Sequence, residues 1–277
     1  MLIGIMILST GACTKVTLTP PSILPTPPSG SSWELIPVLS DEFNGPVLDR
    51  HKWLDYHPYW SGRTPSQFDV KNVSVSGGLL RLKNTTDVTN LNEVANPEED
   101  NWVKAAIITS VKPIAMYGYY EARVKASGIS MTSSFWLQGK YSEIDVVEQI
   151  GAPAKQPGKS RLMLINTHFY PGGWENDKKT PREIPMTIGA AEDFHVYGVW
   201  WKDKDTAWLY HNGELVTEIQ LGGEFLEPMY LFLDTEVFIW EGLPAVEDLK
   251  DDQRSLAVAF LLVHFAASFP RGARSGW

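Results

Sequence analysis

The chain has 277 residues and a formal net charge of -9, with 43% hydrophobic and 12% aromatic content. That length allows one large domain with a full core, and an acidic chain without a basic tract argues against nucleic acid or an anionic membrane surface as partner. The single cysteine, Cys13, excludes an intrachain disulfide framework, whereas 11 Trp and 10 Tyr, many beside Gly, Asn, His or Asp, suit a cleft that stacks on flat neutral rings such as sugars.

The first element, "MLIGIMILSTGACTK", is an apolar run of export length that ends at small residues and Cys13. It predicts a secretory signal over residues 1–13. Cys13 after Gly11 and Ala12 resembles a bacterial lipoprotein acylation site. The expected location is therefore outside the bacterial cytoplasm, as an outer-membrane lipoprotein or an extracellular protein; a plain cleaved signal with an incidental cysteine is the alternative to lipidation. Residues 14–32, "TKVTLTPPSILPTPPSGSS", hold too little apolar surface to pack and predict a solvated tether. No later stretch is long and uniform enough for a transmembrane helix, residues 256–269 being too short.

From Trp33 onward, short runs of β-branched and aromatic residues are bounded by Gly, Asn, Pro and Asp: "NVSVSGGLLRLKN", "AAIITSVKPI", "YGYYEARVKAS", "RLMLINTHFY", "PMYLFLDTEVF". Many have period two, and Asn212-Gly213 in "YHNGEL" is the strongest short hairpin signal. No helical period lasts more than about two turns. The expected fold is all-β, a sandwich or jelly roll of many short strands, filling residues 33–254 as one domain.

Within it, "YSEIDVVEQIG" places Glu143, Asp145 and Glu148 in an otherwise apolar run. On a regular strand residues 143 and 145 face one way and 148 the other. A β-bulge at Val146-Val147 repairs this, returning Glu148 to the face of the other acids while the valines pack inward. The Cα atoms of Glu143 and Glu148 would then lie roughly 13 Å apart, and long side chains on a concave sheet can lean together towards the ~5–5.5 Å separation that retaining glycoside hydrolysis uses. That chemistry needs one ionised nucleophile and one protonated donor. Three crowded acids supply the donor, because mutual repulsion raises at least one pKa. Asp145, between the two, is placed to hydrogen-bond the nucleophile.

"SEIDVVEQIG" resembles the bulged active-site signature of glycoside hydrolase family 16, whose members are concanavalin-like jelly rolls with a concave substrate cleft. The resemblance runs from about Trp33 to Asp252, through "LSDEFNG", "DRHKWLDYHPYWSGRTPSQF", "MTSSFWLQ", "NTHFYPGGW", "YGVWW" and "FLDTEVFIWEGLP". Together these are similar to the β-agarases and β-porphyranases that cleave β-1,4 linkages of red-algal galactans with retention. The resemblance implies Glu143 as nucleophile, Asp145 as its assistant and Glu148 as acid/base, the roles that the spacing also proposes. It implies a galactan polysaccharide as partner and a monomer. A laminarinase-type β-glucanase, or a non-catalytic carbohydrate-binding jelly roll, is the alternative.

Further substrate-binding candidates are Trp60, Trp136 and Trp174, whose indole faces could stack on galactose, with Trp136 the first choice. His168 could hydrogen-bond a sugar hydroxyl or Glu148, and His57 and Glu236 complete the set. Arg63, on an aromatic Gly-containing loop, suits a sulfate oxygen pair. It bears on the substrate, since porphyran carries a 6-sulfated galactose where agarose has a neutral anhydro sugar. Gln138 stands where a second arginine would strengthen the sulfate reading. No cofactor or metal is predicted, although the resemblance implies an occasional structural calcium with one ligand on a closing strand. That strand is what the tail lacks: from Ser255 to Trp277 there is no acid and no clear alternation. The expectation for residues 255–277 is an atypical tail, frameshifted near Arg254 or divergent, that leaves one sheet edge unpaired and core uncovered.

Overall fold

The computed structural model describes residues 24–268 and packs two antiparallel sheets face to face. One sheet follows the order Arg182–Pro185, Leu162–Phe169, Ser142–Ile150, Thr132–Gln138, Tyr230–Asp234, Ile107–Ser110, Trp53–Leu54. The other follows the order Glu214–Gln220, Thr206–His211, His195–Trp201, Gly118–Lys125, Leu256–Ser268, Leu79–Lys83, Val73–Ser76, with Ser31–Leu35 added on Leu256–Ser268. Among the described residues the α-helical content is one short segment, Val246–Lys250. The all-β jelly-roll expectation holds.

The period of two explains the core. Tyr120, Ala122 and Val124 of one strand and Tyr197, Val199 and Trp201 of its neighbour turn inward, where they meet Phe135, Leu137, Ile144, Met163, Ile165, Leu231 and Leu233 from the opposite sheet. Burying each large apolar side chain contributes on the order of 1.5–3 kcal/mol. Asn212 and Gly213 both take positive φ, 51° and 83°, as the two-residue turn between Thr206–His211 and Glu214–Gln220 requires.

The expectation of an unpaired sheet edge is overturned. Leu256–Ser268 is a strand inside its sheet, paired with Gly118–Lys125 on one side and with Leu79–Lys83 and then Ser31–Leu35 on the other. Ala257, Ala259 and Leu261 face the core. The alternation is hidden in the sequence because the other face is apolar too: Phe260 is covered by Phe194 and by the Arg123 guanidinium, 5.2 Å from its ring centre. A strand covered on both faces reads as an unbroken apolar run. Sheet pairing therefore continues past the expected limit at Arg254 and begins at Ser31, inside the expected tether. Trp33 ties that segment down: its Nε1 donates to the Pro25 carbonyl at 2.5 Å and its ring meets Trp200 edge-on at 5.3 Å. The signal segment and Cys13 lie outside the described residues. Among the described residues no helix is long and apolar enough to cross a membrane.

Leu261 is 0% exposed, so Leu261→Ala should lower stability by about 2–5 kcal/mol. The midpoint of urea unfolding reads this, and a loss below about 0.5 kcal/mol would show that the strand is not in the core.

Candidate active site

The concave face belongs to the sheet that contains Ser142–Ile150. Its register against Thr132–Gln138 runs Glu143 to Gln138 and Asp145 to Trp136, then shifts, so that Val147 meets Phe135 and Glu148 meets Ser134. Val146 is the residue without a partner. Ile144, Val146 and Val147 all enter the core, which leaves Glu143, Asp145 and Glu148 together on the cleft side. The bulge stands where the valine pair predicts it.

On the other flank Glu143 pairs with His168 and Asp145 with Asn166. One atom each of Glu143, Asp145 and His168 lie within 4.8 Å of one another. His168 Nε2 is 3.2 Å from Asp145 and its Nδ1 2.6 Å from Asp177, so both ring nitrogens face carboxylates. Gln138, across the strand, donates its amide N–H to Glu143. Beyond Glu148, Glu236 accepts from Arg63 Nε at 2.6 Å.

Burial sets the proton states. Glu148 is pushed up to about 8, first by burial and then by the charges of Glu236 and Glu143, against the pull of Arg63. Asp145 rises to about 6, by burial and by Glu148, with His168 opposing. Glu143 is held well above the ordinary carboxylate range by burial and by Asp145, with His168 and Gln138 favouring its anion. For His168 burial acts downward but is outweighed by Asp145, then Asp177 and Glu143, which raise it to about 9. It is an imidazolium at neutral pH. His57 goes the other way, to about 4, through burial, and stays neutral with Nδ1 accepting the Tyr59 N–H at 3.2 Å.

A cleft of about 420 Å³ opens over these groups. The structure brings every sequence-predicted site residue to it or to its wall: His57, Trp60, Arg63, Trp136, Trp174 and Glu236 line it with the three acids, and His168 packs against Trp174. Their exposure reorders the aromatic candidates. Trp136, the first choice from sequence, is only 6% exposed and stacks on Phe232 at 4.1 Å. Trp174, 54% exposed with Tyr170 stacked behind it at 3.8 Å, and Tyr59, 80% exposed, are the rings with open faces. Sequence reading missed Tyr59, Tyr170, Asp177 and Ser134. Only Tyr59, inside the aromatic "DYHPYWSGR" run, carried a local signal.

The sequence model of the "Beta-porphyranase A-D, GH16 domain" matches residues 33–259. The chain belongs to this family. It is 34% identical over 247 residues to β-porphyranase E of Zobellia galactanivorans, covering 82% of this chain and 86% of that one. Over 269 residues it is 34% identical to β-porphyranase B of Phocaeicola plebeius, covering 84% of each. The crystal structure of a β-porphyranase from the gut bacterium Bacteroides plebeius superposes with a TM-score of 0.78 at 31% identity, over 90% of this chain and 96% of that one. β-Agarase A of Zobellia galactanivorans has the same TM-score, 0.78, at 18% identity, over 93% and 100% of the two chains, and shares the fold. This family 16 member is thus a glycoside hydrolase.

In this hydrolase the buried acid Glu148 also bears on stability. Its folded value near 8 lies above the ordinary 4.5, so the folded protein binds the proton more tightly than the unfolded chain. The contribution is complete below about pH 4.5 and is lost as pH rises through 8. Glu148→Gln should therefore be more stable than the parent at pH 9, by up to about 5 kcal/mol, and match it at pH 4.5. Equal midpoints at pH 9 would mean that Glu148 is not a strained buried acid.

Proposed function

We propose that this protein is an endo-acting, retaining hydrolase of β-1,4 linkages in red-algal galactan, with porphyran as its principal substrate. The observation that carries the mechanism is the Val146 bulge, which aligns three acids under an aromatic cleft. Glu143 attacks the anomeric carbon as the glycosidic C–O bond breaks, and Glu148 gives its proton to the leaving oxygen. A water, deprotonated by Glu148, then attacks the same carbon and releases Glu143. Neutralising Glu143 in the covalent intermediate removes one of the charges that hold the proton on Glu148, so the acid of the first step becomes the base of the second. Asp145 shares a proton with Glu143 and orients it, while the His168 imidazolium, set by Asp177, balances the pair's charge. Trp174 and Tyr59 stack on the polymer. The leader reading of residues 1–13 adds export to this proposal.

Porphyran is favoured because the relatives with 34% identity are β-porphyranases and because of the cation in the cleft wall. Arg63 uses Nε for Glu236, and its other N–H groups have no hydrogen-bond partner among the described residues. Phe238 and Trp240 lie under its guanidinium at 5.2 and 5.7 Å. A flat, held cation with a free edge matches two sulfate oxygens.

Glu143→Ala should abolish hydrolysis while polymer binding persists; residual turnover within tenfold of the parent would remove Glu143 as nucleophile. Glu148→Ala should keep activity on substrates with activated leaving groups and be rescued by azide, which attacks the intermediate without a base. A folded variant that shows neither behaviour removes Glu148 from its role. A charge-assisted bond contributes about 1.5–3 kcal/mol, so Arg63→Ala should lower kcat/KM on porphyran by about tenfold to a hundredfold and leave agarose cleavage nearly level. Equal losses on both would mean that Arg63 only holds its loop, and a parent enzyme active on agarose but not porphyran would make it an agarase.

A further inference from the structure

Glu148, Ser134 and Asp234 stand in one row across three adjacent strands, since Glu148 pairs with Ser134 and Ser134 with Asp234. Residues directly opposite in antiparallel strands share a face, so the row runs under the cleft. Ser134 is small, and its hydroxyl has no hydrogen-bond partner among the described residues. Asp234 is 0% exposed and neither of its carboxyl oxygens has a hydrogen bond of good geometry, although the Trp136 side chain beside it favours its anion. What it faces is the carboxyl group of Glu236. Where two buried carboxyl groups face each other, neither can donate to the other unless one of them carries a proton. Arg63 sits on Glu236 at 2.6 Å and makes it the anion. Asp234 is left as the acid.

We infer that Asp234 is a positioning residue: as a neutral acid it donates to Glu236, keeps Glu236 an anion beside Arg63, and through that anion keeps the proton on Glu148. The inference rests on the reading of Glu148 as acid/base. The charged groups around the row are few. Glu148 faces Glu236, Glu143 and Arg63, Asp234 faces Glu236 and Glu148 with the Trp136 side chain alongside, and Asp145, with His168 behind it, flanks Glu148. Without the donor at 234, Glu236 takes up a proton more readily. Glu148 then loses its own at lower pH.

The test is the pH profile of kcat/KM on porphyran for the parent, Asp234→Asn, Asp234→Leu and Glu148→Gln. Asparagine keeps an N–H donor towards Glu236, so its alkaline limb should stay with the parent's. Leucine has no donor, and its limb should move about one pH unit to the acid side, a loss of about tenfold at pH 8 relative to pH 6. An unmoved limb in Asp234→Leu, or equal shifts in both variants, overturns the inference. Glu148→Gln separates the two levels. If its residual activity loses the alkaline limb while Asp234→Leu leaves the limb in place, only the role of Asp234 fails; if the limb persists in Glu148→Gln, the acid/base reading fails and the inference with it. Should the leucine variant not fold, infrared spectra of the parent labelled with 13C at aspartate carboxyls decide. A protonated carboxyl band at pH 7 that is lost in Asp234→Asn supports the inference, and its absence from the parent overturns it.

Discussion

A strand shows alternate residues to opposite faces, and so acids at 143 and 145 can share a cleft with an acid at 148 only if one residue between them leaves the pairing. Val146 is that residue. Its side chain goes into the core beside Ile144 and Val147, so the extra residue is anchored by apolar burial. The grouping of the three acids hangs on this shift. Without it Glu148 would enter the core and Val147 the cleft.

The same face concentrates carboxyl groups beyond what its cations can neutralise. Glu143, Asp145, Glu148, Asp234 and Glu236 are gathered there, with Arg63 and His168 as positive partners. In a water-poor place this imbalance is resolved by retained protons. Retained protons suit the proposed chemistry, because an acid that stays protonated near neutral pH is the proton donor that glycoside hydrolysis needs. They also make the site a strain on the fold, which the large inter-sheet core offsets. The proposed catalysis and the stability of the fold therefore draw on the same buried groups in opposite senses.

Around this floor the walls come from distant parts of the chain. Tyr59, Trp60 and Arg63 arrive on one loop, Trp174 on another, and Glu236 follows the Tyr230–Asp234 strand. Tyr170 stacks behind Trp174, and Phe68 meets Trp60 edge-on at 5.3 Å. Rings held by other rings present their faces at low conformational cost on binding. The opposite sheet is completed by the pairing of Ser31–Leu35 with Leu256–Ser268, which joins the two ends of the described chain and leaves the concave sheet free to hold the site.

Much of this was legible locally. Period-two runs and the Asn212-Gly213 turn determine an all-β fold, and the E-x-D-x-x-E spacing determines the bulge, because both depend on neighbours within one strand. The Leu256–Ser268 strand was not legible, since Phe260 on its outer face is as apolar as Ala259 and Leu261 on its inner face and only the covering by Phe194 and Arg123 explains it. Nor did the sequence rank the tryptophans: residue type marks a ring, but Phe232 from another strand decides that Trp136 is closed and Trp174 open. The proton states belong wholly to the tertiary structure. His168 owes its charge to Asp145 on the neighbouring strand and to Asp177, and Glu236 is held by Arg63 from a loop far away in the chain, pairings that sequence spacing does not announce.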